Sequence, residues 1–493
     1  MVGSAVLLLS LSLLLLTLGC ASAPPIHDLE LDGPVPDQWT AASTPTGDVG
    51  QTWWRDFHQP ELNAALETAL QRNYDLRAAA ARVEQAQAQA KIAGADLQPQ
   101  AQLGLGAARR KQNFIGFPIP GDGVPSSTST NLGVSLNVTW EVDLWGRLGA
   151  RTSAALADYQ LTAADFHGAR LSIAGQTAKA WFTTAGAYQQ VRLAEQTVDS
   201  FRSSTEQVRQ RFLSGIRPPL DLRLSLANLA GAEALLELRR EQLDRAVRQL
   251  EVLLGRYPAR DITTPEQFPT TPADVPAGLP SELIARRPDL AAAERRLAAA
   301  DQRWLAARRD LYPRLSLTAS GGTATRALVD LVDGNFGVWS LVANLVQPIF
   351  EGGRLRANVD RAESVSDEAV AMYAGTALRA YAEVESTLAA EKTLTERERY
   401  LTDAAQQSRA AERLAEDRYR RGLSDYVTVL ESQRRALNAE SGLIDARRGR
   451  LENRVDLYLA LGGGFDRSEI SLEALLANAA DPKSSKPTKE NSQ

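Results

Sequence analysis

A single cysteine, Cys20, stands among 493 residues, so no intrachain disulfide is available and the fold must hold without one. Histidines number three: His27, His58 and His167 are scattered, with no second ligand at metal spacing, and no metal, cofactor or catalytic set is expected. The pair Gly104-x-Gly106 falls in strand-like sequence rather than between a strand and a helix, which removes a phosphate loop. A basic excess is missing too: the net charge is −5 with both signs interspersed, leaving no footprint for nucleic acid. Proline is absent from 149–212 and from 354–419, and both stretches are made of helix formers.

The one long apolar run, residues 5–18, is too short for a spanning helix of about 20 residues and reads as the core of a signal peptide, 1–19. Export is therefore expected. Leu18-Gly19-Cys20-Ala21 resembles a lipoprotein cleavage box, with Thr17 where Leu is usual, which makes Cys20 the candidate lipid attachment site; cleavage after Ala21-Ser22-Ala23 is the alternative. Residues 20–55 then read as an extended tether rich in Pro, Thr, Asp and Gly.

What the chain does have is a repeat. Asp75-Leu76, Arg82 and Asp96-Leu97-x-Pro99 recur 214 residues later as Asp289-Leu290, Arg296 and Asp310-Leu311-x-Pro313. Gly146-Arg147-Leu148 and Phe212-x-x-Gly215 recur 207 residues later as Gly353-Arg354-Leu355 and Tyr419-x-x-Gly422. One unit was duplicated, as repeat 1 over 56–260 and repeat 2 over 281–465, joined by a linker or equatorial segment at 261–280 and followed by a tail at 466–493.

Within each repeat the hydrophobic period changes. Helix formers run from Leu62 to Asp96; alternation with period two then takes over, with strands expected at about 101–110 and 131–141, and at about 314–321 and 336–347 in the second copy. Leu132, Val134, Leu136 and Val138 share one face with Trp140, as do Trp339, Leu341 and Leu345; the opposite face is small and polar. That pattern fits a transmembrane β-barrel strand facing lipid, although a half-buried hairpin alternates in the same way. Proline-free helices follow, broken at Pro218-Pro219 and at Gly422-Leu423-Ser424, and return helices are expected from about Asp221 and Asp425.

Four strands cannot close a barrel, and an open sheet cannot leave its edges in lipid, so the chain is expected to associate; two copies or three satisfy the strand count. With its duplicated plan, the Trp145-Gly146-Arg147 and Gly352-Gly353-Arg354 junctions, Arg286-Arg287-Pro288-Asp289-Leu290, and Tyr419-Arg420-x-Gly422-Leu423 followed by Val429-Leu430-Glu431, the chain resembles outer-membrane efflux proteins of the TolC type. It is most similar to their lipoprotein branch, the NodT/OprM-like proteins that partner RND pumps.

The resemblance implies an α+β homotrimer: twelve strands closing a barrel in outer-membrane lipids and twelve helices forming an α-barrel that extends into the periplasm. It implies a passive conduit of a tripartite pump, with a periplasmic adaptor meeting the helical turns at Gly215, Ile216, Gly422 and Leu423, and an inner-membrane RND pump supplying energy. It also implies a constriction at Glu431, to which the sequence adds Asp221; trimerisation would turn each into an acidic ring. Gly215 and Gly422 also read as plain helix C-caps, and Asp221 and Asp425 as helix-start acids. A protein-secretion conduit and a pore-less coiled-coil scaffold remain as other readings.

Overall fold

The computed structural model describes residues 35–41, 47, 49–115, 124–272, 275–471 and 473–475. The expected signal segment, Cys20 and the end of the tail lie outside the described residues.

Three pairs of helices repeat the sequence offsets residue for residue, while the strands differ in length. Helices α1 (Pro60–Arg72) and α2 (Tyr74–Ala95) lead to strands β1 (Gln100–Asn113) and β2 (Ser126–Val142), then to α3 (Arg147–Leu213) and α4 (Pro219–Leu253). After an irregular segment and the short α5 (Leu283–Arg286) come α6 (Pro288–Arg309), β3 (Arg314–Thr325), β4 (Gly337–Val346), α7 (Arg354–Arg420) and α8 (Tyr426–Ala460). Helices α2 and α6 each have 22 residues, α3 and α7 each 67, α4 and α8 each 35. At 1.5 Å per residue the long pair measures roughly 100 Å each.

Two sequence expectations change. The helix expected from Leu62 to Asp96 is broken at Asn73, whose backbone turns extended (ψ 130°). The Asn73 carboxamide makes the break: its Oδ1 accepts from the Asp75 and Leu76 amides at 2.9 and 3.3 Å, capping α2, while Nδ2 donates to the Leu253 carbonyl at 3.1 Å. The first hairpin, for its part, runs past 101–110 and 131–141, because Ser126 to Thr130 continue the ladder opposite Arg109 to Asn113. Serine and threonine carry no apolar alternation yet pair well in strands.

The chain forms two compact units. One holds residues 84–159 and 294–372, including the antiparallel sheet in the order β1-β2-β3-β4, so that β1 and β4 are its edges. Register places Leu103, Leu136, Gly321 and Trp339 in one row, and Ala101, Val138, Ala319 and Leu341 in the next. One face is therefore mainly apolar from Val142, Leu315 and Leu345 to Leu132 and Ala107, with Thr323 and Thr325 of β3 as its polar positions. The other carries Ser135, Asn137, Thr139, Ser316, Thr318 and Ser320. Gly322 lies where a Cβ would overlap the Val134 carbonyl, so the strands pass there only because it has no side chain.

At the helical end of the sheet, Asp310 gathers Arg151 at 3.1 Å, Arg314 at 2.9 Å and Arg147 at 3.6 Å, and Arg147 also holds Glu141 at 2.6 Å. Trp140 and Trp145 donate to the Leu97 and Pro313 carbonyls at 3.0 and 2.8 Å, placing indoles along this rim.

The other unit comprises the described residues of 35–83, 160–293 and 373–475. Its core joins Trp53, Phe57, Leu62, Leu66, Phe182, Leu250, Leu290, Leu451 and Leu457, all essentially buried, and burial of each such side chain contributes about 1.5–3 kcal/mol. Trp53 stacks on Tyr458 with centroids 5.1 Å apart, and the Tyr458 hydroxyl donates to Asp56 at 2.7 Å. The stretch read as a tether is fastened before its end: Trp39 is buried and donates to the Gly278 carbonyl at 3.0 Å. The beginning of the expected tail is fastened as well, since Ile470 is buried and Glu469 binds His167 at 3.2 Å and Gln51 at 2.7 Å.

Candidate functional site

The two helical turns lie in the second unit and begin as identical chain reversals. Gly215 (φ +70°) and Gly422 (φ +78°) follow α3 and α7. Their amides return to the Phe212 and Tyr419 carbonyls at 2.9 and 3.0 Å; the next amides, of Ile216 and Leu423, return to Arg211 and Arg418 at 2.9 and 2.8 Å. This is the Schellman closure, which needs a left-handed residue. A Cβ at either glycine would meet nothing within 4 Å, so backbone angle rather than space selects glycine. Ile216 and Leu423 project outward, 69% and 63% exposed, beside exposed Leu213, Leu220 and Val427.

Beyond the reversal the turns differ. Helix α4 starts with Pro219, and Asp221 occupies its first turn. Helix α8 starts with Asp425 as N-cap, accepting from the Thr428 amide at 2.8 Å and its hydroxyl at 2.6 Å, which holds the Asp425 carboxyl below its usual range. Tyr419 and Tyr426 are buried with ring centroids 5.3 Å apart. Burial pushes the Tyr426 hydroxyl well up; Tyr419 is raised by burial and by the Asp221 charge, against Arg217 and Arg211.

Those two arginines connect the turns. Arg211, at the end of α3, donates to the Tyr419 carbonyl at 2.9 Å, and Arg217 lies over the Tyr419 ring at 4.7 Å and donates to the Ser424 carbonyl at 3.4 Å. Leu222 and Leu224 pack with Val208, Tyr419 and Val429 beneath them. Gln433, buried, donates to Glu416 at 3.0 Å beside a cleft of about 200 Å³ lined by Ser203, Ser204, Glu416, Tyr419 and Tyr426.

The two acidic positions stand differently. Glu431 binds Arg434 at 2.6 Å and Arg435 at 2.8 Å, both on its own helix, and the hydrogen bonds from Arg435 and Arg434 hold its carboxyl below the ordinary range. The trio carries a formal excess of positive charge. Asp221 has no ion pair among the described residues, and neither has Arg223. Sequence reasoning missed Arg211, Arg217, Tyr426 and Arg435. The available signal was asymmetry: Arg217 and Tyr426 stand where the other repeat has Ser424 and Pro219.

In the sheet unit, Leu132, Val134, Leu136, Val138, Trp339, Leu341 and Leu345 all fall on the single apolar face, and Trp339 is 83% exposed in the protomer. Among the described residues no helix is long and apolar enough to cross a membrane. No group of three or more His, Cys, Asp or Glu side chains among the described residues is placed to hold a metal.

Comparison with known proteins gives a consistent picture. The family model described as outer membrane efflux protein matches residues 65–256 and 279–463. The chain is 35% identical to the outer membrane protein OprJ of Pseudomonas aeruginosa, over 92% of this chain and 95% of that one. It is 33% identical to the toluene efflux pump outer membrane protein TtgC of Pseudomonas putida, over 93% and 96%. Among solved structures, the CmeC outer membrane channel of Campylobacter jejuni superposes with a TM-score of 0.85 at 25% identity, covering 94% of this chain and 98% of that one. The outer-membrane channel OprN superposes with 0.81 at 28%, covering 90% and 99%. Two matched segments correspond to the two repeats, and the four-stranded sheet with long paired helices is the TolC-like fold. The chain belongs to the outer membrane efflux protein family and is the outer-membrane channel component of an efflux pump, not an enzyme.

Proposed function

We propose that three copies of this chain close one passive conduit, each supplying four strands to a twelve-stranded barrel and four helical strands of length to a periplasmic tunnel. The observation that carries this reading is the sheet: β1 and β4 are edges, one face is mainly apolar between its helical rim and the row of Ala107 and Leu132, and an open apolar sheet has no stable place in lipid until its edges pair. Twelve strands leave room for a lumen, which eight would fill. The polar face, with Ser135, Asn137, Thr139 and Ser320, then lines the pore, and Leu132 to Val138, Trp339, Leu341 and Leu345 face lipid.

The turns at Gly215–Ile216 and Gly422–Leu423, with their exposed aliphatic side chains, receive a periplasmic adaptor that connects the channel to an inner-membrane RND pump. Energy and most selectivity reside in that pump. Relatives of similar identity are named for toluene efflux and for pyoverdine export, chemically unlike cargoes carried by one channel plan. Cys20 carries the lipid that holds the start of the mature chain at the outer membrane. Asp221 and Glu431 form the acidic constriction, with Asp221 contributing the stronger negative potential because Glu431 is compensated by Arg434 and Arg435.

Planar-bilayer recording of the purified protein tests this. A small, cation-selective conductance is expected, rising in Asp221→Ala and changing less in Glu431→Ala; absence of conductance in every form would return the pore-less scaffold to the front. Loss of membrane retention and of incorporated palmitate in Cys20→Ser tests the anchor.

A further inference from the structure

The apolar face of the sheet ends differently at its two rims. Toward the helices its last row is Val142, Leu315 and Leu345, with no basic side chain on that face. Toward the hairpin loops, the row of Ala107 and Leu132 is followed on the same face by Arg109 opposite Thr130, and then by Lys111 opposite Thr128. Arg110, between them, points to the polar face opposite Ser129. Arg109 and Lys111 are exposed, and neither has an ion pair among the described residues. Two unneutralised cations flanked by two hydroxyls thus stand one and two rows beyond the apolar band.

The helices extend into the periplasm in this family, so the hairpin loops lie on the outer side of the membrane. We propose that Arg109 and Lys111, with the Thr130 and Thr128 hydroxyls, form a docking surface for the phosphate groups of a phosphorylated glycolipid in the outward-facing leaflet. The chemistry is specific in three respects. Guanidinium and ammonium groups donate to phosphate oxygens, and Arg does so in a fork. Threonine hydroxyls suit the remaining phosphate oxygens and sugar hydroxyls. The acyl chains of the same lipid continue onto Ala107, Leu105 and Leu103 of β1, the apolar residues next in line. On the apolar face the basic positions stand beyond the band at this rim alone; at the helical rim Arg147, Arg151 and Arg314 are neutralised by Asp310 and Glu141.

This inference rests on the reading of the apolar face as lipid-facing, and the experiment separates the two. Full-length protein in neutral detergent is titrated with diphosphoryl lipid A, with the same lipid stripped of phosphate, and with inorganic phosphate, and bound lipid is counted by native mass spectrometry. The native chain is expected to hold diphosphoryl lipid A more tightly than the stripped form, and the double variant Arg109→Gln/Lys111→Gln to weaken it by about thirtyfold, each basic group near a charged surface contributing about fivefold. Arg110→Gln, on the opposite face of the same strand, is expected to leave it unchanged. Equal binding by the double variant and the native chain overturns the proposal, as does an equal loss in Arg110→Gln, which would mark a diffuse charge effect. Competition by inorganic phosphate at comparable concentration would also overturn it, since the surface would then read phosphate alone. Failure of the lipid-facing reading shows separately, as a native chain that does not insert into planar bilayers at all.

Discussion

The Arg211 guanidinium donates to the Tyr419 carbonyl at 2.9 Å, so the last turn of the first long helix is bound to the last turn of its duplicate. Arg217 adds a second strap by covering the same tyrosine ring and reaching the Ser424 carbonyl. Hydrogen bonds from charged donors contribute about 1.5–3 kcal/mol each, less where solvent reaches them. Arg211→Ala and Arg217→Ala together are expected to raise single-channel conductance several-fold without changing trimer yield. A conductance equal to the native value would show that these straps do not restrain the turns.

Substituting the turn glycines separates backbone geometry from surface contact. Gly215→Ala and Gly422→Ala place a Cβ in open space but at positive φ, which costs about 1 kcal/mol. Ile216→Ser and Leu423→Ser leave the backbone undisturbed and remove exposed aliphatic surface. If the adaptor docks here, the serine variants lose efflux by the assembled pump while thermal unfolding stays unchanged. The alanine variants should shift unfolding slightly and efflux less.

His167 is held below its ordinary value near 6.5, burial outweighing the attraction of Glu469 and Arg170 adding to burial. A depressed histidine means the unfolded chain binds the extra proton first, so the stability His167 confers is present above about pH 6.5 and declines as pH falls through that value. Hydrogen exchange of residues 462–471 should therefore accelerate, beyond its intrinsic pH dependence, as pH is lowered from above 7 to below 6. His167→Gln should flatten that response; an unchanged response would place the sensitivity elsewhere.

Arg287, with its side chain 9% exposed, binds Asp289 and Glu383 at 2.7 Å each and the Ala460 carbonyl at 2.9 Å. Removing it leaves the Ala460 carbonyl without its donor and two half-exposed carboxylates to be solvated by water, so the loss is about 1–3 kcal/mol. Arg287→Ala is expected to lower the urea midpoint sharply. Arg287→Lys should recover little, since three acceptors in different directions need the guanidinium fork.

Asn73→Ala removes both the cap of α2 and the bond to Leu253. A loss of about 1–2 kcal/mol in unfolding free energy is expected. Asn73→Asp should restore the cap but not the donor, and fall between the two.

The helices were legible in the sequence because proline-free stretches of helix formers end at glycine or proline, and because each boundary is written twice. Asn73 was not, since helix formers stand on both sides of it and its effect depends on Leu253, distant in sequence. The outer parts of β1 and β2 escaped for another reason: Ser126 to Thr130 read as loop when hydrophobic alternation is the signal, and only a partner strand makes them a ladder. At the turns, matching the repeats found Gly215 and Gly422, which do the same thing in both. It passed over Arg217 and Tyr426, whose work lies in having no counterpart. Glu431 was read as a constriction residue from the resemblance; that Arg435, four residues on, changes its charge balance requires knowing which way the side chains lean.

The equal lengths of the duplicated helices impose a rule on how this chain can vary. A residue deleted from α3 shortens it by about 1.5 Å and turns everything beyond by about 100°, so that Arg211 would no longer meet Tyr419 unless α7 lost a residue at the matching level. The seven-residue difference between the repeats sits in the hairpin region, and none of it in the three pairs of equal helices. Each helix thus acts as the gauge for its twin: side chains may drift freely along them, while the number of residues is held in step.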